Sequence, residues 1–105
     1  KSIFTFALIA QKVEAMDVPK LVRALGPQEL TTAIAFATEE DDVASVTFLL
    51  ENMSTRMANN LREEANQLGR VKRADGEAAF GLIVNLLREM VVNGDIELKS
   101  DEEEE

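Results

Sequence analysis

The chain has 105 residues, 46% of them hydrophobic, which is enough for one domain with its own core. It has no cysteine and no histidine, which excludes disulfides and thiolate chemistry and removes the commonest general base and transition-metal ligand. A net charge of −9 argues against nucleic acid and anionic membrane surfaces, because both select basic footprints.

The apolar run at 82–84 is broken at Asn85 and the run at 6–10 at Gln11, far short of the roughly 20 residues a membrane span needs. Lys1 is not an initiator and no signal-peptide pattern is present, so the chain is expected to be a piece of something longer.

Apolar positions recur mostly at three and four residues and strand-type alternation is weak. The spacing predicts an all-α domain, a compact bundle of about six helices with short links. The first helix is expected over residues 3–14, with Ile3, Phe6, Ala7, Ala10 and Val13 on one face. Asp17 is placed to cap a short second helix with Pro19 in its first turn, stopping at Gly26. Pro27 opens a third helix over 28–38, with Leu30, Ile34 and Ala37 facing inward. A fourth starts in the cluster Glu39-Glu40-Asp41-Asp42, with Asp41 or Asp42 as its cap and acids suited to the positive end of the helix dipole. Its inward stripe is Val43, Val46, Leu49, Leu50 and Met53. The fifth runs over 54–68 from a Ser54 cap to Gly69, and the sixth over 75–93 to Gly94, a good left-handed stop. The sixth carries Ala79, Phe80, Ile83, Leu86, Leu87 and Met90 on a broad apolar face. Gly76 and Gly81 each lower its intrinsic stability by about 1 kcal/mol, and close packing of a neighbouring helix would explain Gly81. The methionines sit at core spacing and read as packing.

The charge is unevenly placed. No Lys or Arg occurs between Arg23 and Arg56, and residues 101–105 are all acidic, so residues 99–105 read as a solvated tail. On the fifth helix, at about 100° per residue, Met57, Leu61, Ala65 and Leu68 share one arc, the expected core face. Arg56, Asn60, Glu63 and Gln67 form a neighbouring polar stripe, and Asn59, Arg62 and Asn66 a second one opposite the core. Glu64 falls near the edge of the apolar arc, where a carboxylate must reach solvent or find a cation. Arg70 and Lys72, past the turn at Gly69, are the nearest candidates in sequence, which would make the helix end and that turn one electrostatic unit.

Catalytic motifs are missing: no GxSxG, P-loop, GxGxxG or HExxH pattern occurs, so no enzyme, cofactor or metal is expected. Glu63 and Glu64 are adjacent on a helix and point about 100° apart, so they do not converge as an acid/base pair. The 39–42 cluster lacks the spacing and glycine of an EF-hand loop.

The run Glu51-Asn52-Met53-Ser54-Thr55-Arg56-Met57-Ala58-Asn59-Asn60-Leu61-Arg62-Glu63-Glu64 resembles the C-terminal domain of the flagellar motor switch FliG family, which reads NMSxRAAxxLR[DE][DE]L here. Gly69-Arg70-Val71-Lys72 is similar to that family's GPVR, with Arg70 at the usual Pro. Asp75 through Ala79 resembles its DVEEAQ, and Ile83 through Ile96 its IVNIARRLEEAGEI. Ile3-Phe4-Thr5-Phe6 looks like its MFxF hinge. The resemblance spans nearly the whole chain, strongest over 49–96, and marks 1–98 as one helical, armadillo-like domain whose first eight residues include the hinge.

The resemblance implies a rotor component on the cytoplasmic face of the inner membrane, in the flagellar basal body. In that family the charged helix meets opposite charges on the cytoplasmic loop of a MotA-like stator protein to generate torque. Carried over, the stator-binding residues are Arg56, Glu63, Glu64 and Lys72, with Arg62 beside them. The hinge residues are Ile3, Phe4 and Phe6, about which swinging is linked to switching of rotation direction. Implied partners are FliM-like and FliF-like rotor proteins, through the rest of a longer chain, and further copies in a ring. One departure stands out. The family places a Lys after its third helix in an LKGA segment, where this chain has Ala35-Phe36-Ala37-Thr38 and then the acidic cluster. Two other readings stay open: a FliG-like paralogue that keeps the scaffold without torque, and a cation-sensing cytoplasmic domain of an ion transporter that uses the acids.

Overall fold

In the computed structural model, which describes residues 4–99, six α-helices and two short 3₁₀ turns follow one another without a strand among the described residues. The chain enters extended at Thr5 (φ −129°, ψ 169°), makes a 3₁₀ turn over Phe6–Leu8 and passes into α1 (Ile9–Lys12). The helix expected over 3–14 is therefore shorter, and Ile3 lies outside the described residues. The physical reason is burial. Phe6, Ile9 and Val13 are all buried, and Val13 reaches the core by leaving the helix at φ −91°, ψ 135°.

A 3₁₀ turn over Ala15–Asp17 leads to α2 (Val18–Ala24). Asp17 stands at its start but makes no side-chain cap; its carboxylate pairs instead with Lys20 Nζ at 3.3 Å. Then come α3 (Pro27–Phe36), α4 (Glu40–Glu51), α5 (Thr55–Leu68) and α6 (Arg73–Val92). Pro27 stands in the first turn of α3, where its missing N–H costs nothing. Glu39, and not Asp41 or Asp42, occupies the N-cap position of α4, and no side chain makes a cap hydrogen bond there. Glu40, Asp41 and Asp42 all fall in the first turn, where the helix dipole favours them. Ser54 caps α5 as expected: its hydroxyl accepts the Met57 N–H at 3.1 Å. Gly69 and Gly94 end α5 and α6 at φ 72° and 87°, a region open to glycine at little cost.

The core is continuous from Phe6 to Ile96. α3 packs against both α5 and α6, and α4 lies across α1 and the Phe6–Leu8 turn. Ile9, Leu21, Leu30, Ile83 and Leu87 are fully enclosed. At one corner Phe80 stacks on Phe6 (ring centroids 4.0 Å apart, planes within 4°) and meets the edge of Phe36 at 5.3 Å. Gly76 lies beneath this corner, and a Cβ there would overlap the Phe36 ring. Close packing thus explains Gly76 and not Gly81, which faces open space. Among polar groups in the core, Ser45 is fully buried and accepts the Ala10 N–H at 3.3 Å, tying α4 to α1. The segment after α6 folds back: the Lys99 N–H donates to the Lys12 carbonyl at 2.8 Å, and Lys20 Nζ donates to the Asp95 carbonyl at 2.9 Å. The acidic end beyond Lys99 lies outside the described residues.

Several inward positions differ from the spacing. Val43, Leu68 and Met16 are exposed, while Ser45 and Ala58 are buried. Ile34, Ala37, Met53, Met57, Leu86 and Met90 pack against the core at its margin.

Candidate functional site

α5 presents the charges. Its buried residues are Ala58, Leu61 and Ala65. That centre is rotated by about 40° from the arc expected at 100° per residue. The rotation has a consequence for the polar stripes. Arg56, Asn60, Glu63 and Gln67 face straight out from the core, and Asn59, Arg62 and Asn66 fall to one flank. Arg56, Arg62, Glu63 and Glu64 are all exposed.

Glu64 projects to the other flank, toward α3. Its Oε1 accepts a hydrogen bond from Thr31 Oγ1 at 3.3 Å, and the Thr31 residue is itself buried. The unit expected between Glu64 and the 70–72 turn does not form: among the described residues Glu64 pairs with neither Arg70 nor Lys72. A hydroxyl on the neighbouring helix is closer than any cation on the turn, so Glu64 is oriented by α3. Arg56, Arg62, Glu63 and Lys72 make no hydrogen bond or ion pair with any described side chain. Lys72 caps the start of α6 by position and lines a cleft of about 510 Å³ with Glu29, Leu68, Arg70 and Asp75. The structure thus gathers Arg56 and Glu63 on one outward stripe, sets Glu64 and Arg62 on opposite flanks, and leaves Lys72 at a separate edge.

The hinge residues divide in the same way. Phe6 is 3% exposed and stacked on Phe80, so it belongs to the body of the domain. Phe4 is half-buried and packs on the core margin. Phe4 and Phe6 line an apolar groove of about 440 Å³ with Phe80, Val84, Asp42 and Glu77. Asp42 is pushed above the usual carboxylate range, first by partial burial and then by the charges of Glu39 and Asp41. Sequence spacing did not single out Asp42 for this, because the residues that share its groove, Phe4, Phe6, Phe80 and Val84, lie more than 35 positions away.

Among the described residues no group of three or more acidic side chains is placed to hold a metal ion, the 39–42 cluster included. No described helix is long and apolar enough to cross a membrane.

The FliG C-terminal domain family model matches residues 1–98. The flagellar motor switch protein FliG of Aquifex aeolicus is 32% identical over 98 residues, covering 93% of this chain and 28% of that protein. FliG of Bradyrhizobium diazoefficiens is 31% identical over 96 residues, covering 91% and 28%. Among solved structures, Helicobacter pylori FliG (residues 116–343) superposes with a TM-score of 0.75 at 27% identity, over 89% of this chain and 39% of that one. Full-length Aquifex aeolicus FliG gives 0.73 at 30% identity, over 87% and 27%. The chain spans less than a third of the length of these curated relatives. With the family model covering nearly every residue and the helical fold matching in three dimensions, the chain belongs to the FliG C-terminal domain family.

Proposed function

We propose that this domain is a rotor component of the flagellar motor switch, structural rather than catalytic, and that the outward stripe of α5 is its docking face for the stator. The observation that carries the reading is that Arg56 and Glu63 stand opposite the buried face of α5 and that neither is engaged by another described side chain. Exposed charges add little to stability, so their value lies in what they meet outside the domain. A cytoplasmic loop of a MotA-like stator protein, with charges of the opposite sign, fits this stripe. Glu64, fixed by Thr31, offers a pre-set acceptor on one flank, and Arg62 a cation on the other. Lys72 makes a second, separate contact at the α6 start. Such a domain works at the cytoplasmic face of the inner membrane, among FliM-like and FliF-like proteins and further copies in a ring.

The body would swing about residues before Phe6, because the Phe6 ring is held by Phe80 and cannot turn without unpacking the corner. Phe4, at the core margin, is the residue able to follow such a movement.

The test is swimming and tethered-cell rotation in the source bacterium carrying Arg56→Glu with Glu63→Lys, with filaments counted. Filaments present but paralysed or slow support a stator face on α5. Normal rotation contradicts it and favours a FliG-like paralogue that keeps the scaffold for another membrane-associated assembly, a reading supported by the absence of any Lys or Arg between Arg23 and Arg56.

A further inference from the structure

α2 is held differently from its neighbours. It has seven residues, and of the six α-helices it alone has no other packed along its length. A helix that short is marginal in water, so its shape depends on what surrounds it. Yet Val18 and Leu21 are fully buried and Val22 nearly so. Both ends of the segment are jointed. Val13 and Glu14 before it and Leu25 and Gly26 after it hold extended backbone, with ψ between 135° and 151°.

The polar ties of α2 lead to the chain beyond α6. There Gly94 takes φ 87°, the Asp95 N–H donates to the Met90 carbonyl at 2.8 Å and the Gly94 N–H to the Val91 carbonyl at 3.1 Å, a turn that reverses the chain. It brings Asp95 to the start of α2, where Lys20 Nζ donates to the Asp95 carbonyl at 2.9 Å while pairing with the Asp17 carboxylate at 3.3 Å. Residues 96–99 then alternate. Ile96 is buried and Leu98 packs on the core margin, whereas Glu97 and Lys99 are exposed. Such alternation belongs to an extended chain with one face inward. The Lys99 N–H closes the path on the Lys12 carbonyl at the end of α1. A cleft of about 500 Å³ remains between this segment and the Ala15–Asp17 turn, with Met16 79% exposed beside it, so the cover is loose.

We propose that residues 94–99 are a strap that clasps α2 to the end of α6, and that strap and α2 open and close together while α3, α5 and α6 stay folded. Opening breaks the Lys20–Asp95 and Lys99–Lys12 hydrogen bonds and unseats Ile96. It leaves intact the packing of α3 on α5 and α6, the Phe6–Phe80 stack and the Ser45 tie between α4 and α1. Exposing Val18, Leu21 and Ile96 to water opposes it, so the closed form prevails. Local openings are drawn from segments with few ties and exposed backbone, and this segment has both. The device gives the domain a movement on the α2 side that leaves the α5 stripe in place, and it stands whether or not that stripe meets a stator.

Native-state amide hydrogen exchange of the 105-residue chain tests the clasp. In the wild type the amides of α2 and the strap should exchange as one group, about tenfold or more faster than the slowest in α5 and α6. Ile96→Ala empties the strap's seat and should speed exchange in α2 and the strap alike, by about tenfold or more. Lys20→Met removes the bond to Asp95, keeps the aliphatic stem and should speed the same two segments together, by a smaller factor. Ala58→Gly weakens α5 and should speed exchange in the slowest amides of α5 and α6 by about fivefold or more. It should leave α2 and the strap at wild-type rates, because they open without unfolding α5. Exchange in α2 that rises with Ala58→Gly by the same factor as in α5 would mean that α2 unfolds only with the whole domain, and overturns the proposal. So does an Ile96→Ala or Lys20→Met chain in which the strap exchanges faster and α2 does not.

Discussion

Phe80 is held on two sides by other side chains. Its ring stacks on Phe6, meets Phe36 edge-on, and covers a turn of α6 where Gly76 leaves room for Phe36. On the outward stripe of α5, Arg56 and Glu63 point to solvent and pair with no described side chain. The helix beneath them is secured by its other face, through Ala58, Leu61 and Ala65. The contrast separates two kinds of constraint. At the corner the residue types are set by volume, and the fold is what they serve. On the stripe the charges are exposed and touch no described side chain, so packing sets no such demand on them.

Four substitutions can break or sharpen that contrast. The largest effect is expected at Leu61, which is 3% exposed under the stripe: Leu61→Ala should cost roughly 2–5 kcal/mol in urea unfolding. A loss well under 1 kcal/mol would mean that α5 is not held by this face. Next, Gly76→Ala should destabilise by about 1–3 kcal/mol through overlap with Phe36, against its better helix propensity. Gly81→Ala, in open space on the same helix, should go the other way by up to about 1 kcal/mol. The same sign for both would dissolve the distinction between a packed and an open glycine. Ser54→Ala removes the cap on the Met57 N–H and should cost about 1 kcal/mol, seen as a lower thermal midpoint.

The smallest effect is expected at Asp42. Its carboxyl titrates above its ordinary value of 3.8, chiefly through partial burial, with Glu39 and Asp41 adding to the shift. The folded state therefore binds this proton more tightly than the unfolded one. Asp42 should cost stability as pH rises from the ordinary value through the raised one, and the cost should vanish on acidification below both. Asp42→Asn should remove that part of the pH dependence. Parallel curves for the two proteins across this window would show that the groove beside Phe4 does not shift the carboxyl.

Much of this could be read from the chain before any coordinates. The Ser54 cap, the Gly69 and Gly94 stops and the Pro27 start are local signals that depend on a few neighbouring residues, and they appear where their chemistry puts them. The first helix was not legible, because its length is decided by where Phe6 and Val13 are buried, and Phe6 finds Phe80 far along the chain. The rotation of α5 follows from α3, which takes Glu64 through Thr31 and leaves Leu68 at an open cleft. A helical wheel fixes the order of residues around an axis but not the direction from which the neighbours approach. For the same reason Gly81, which pattern suggests is a packing glycine, proves open, and Gly76 carries the close approach.

The central claim is that the charges on the α5 stripe answer to a partner and not to the fold. The most direct measurement is the paired one: thermal unfolding of Arg56→Glu with Glu63→Lys, beside its affinity for the cytoplasmic loop of the stator protein from the same bacterium. The account predicts a midpoint within about 4 °C of wild type, since exposed substitutions stay near 0.5 kcal/mol each, and a loss of affinity of about tenfold or more. A collapsed midpoint, or unchanged binding by a well-folded variant, would contradict it.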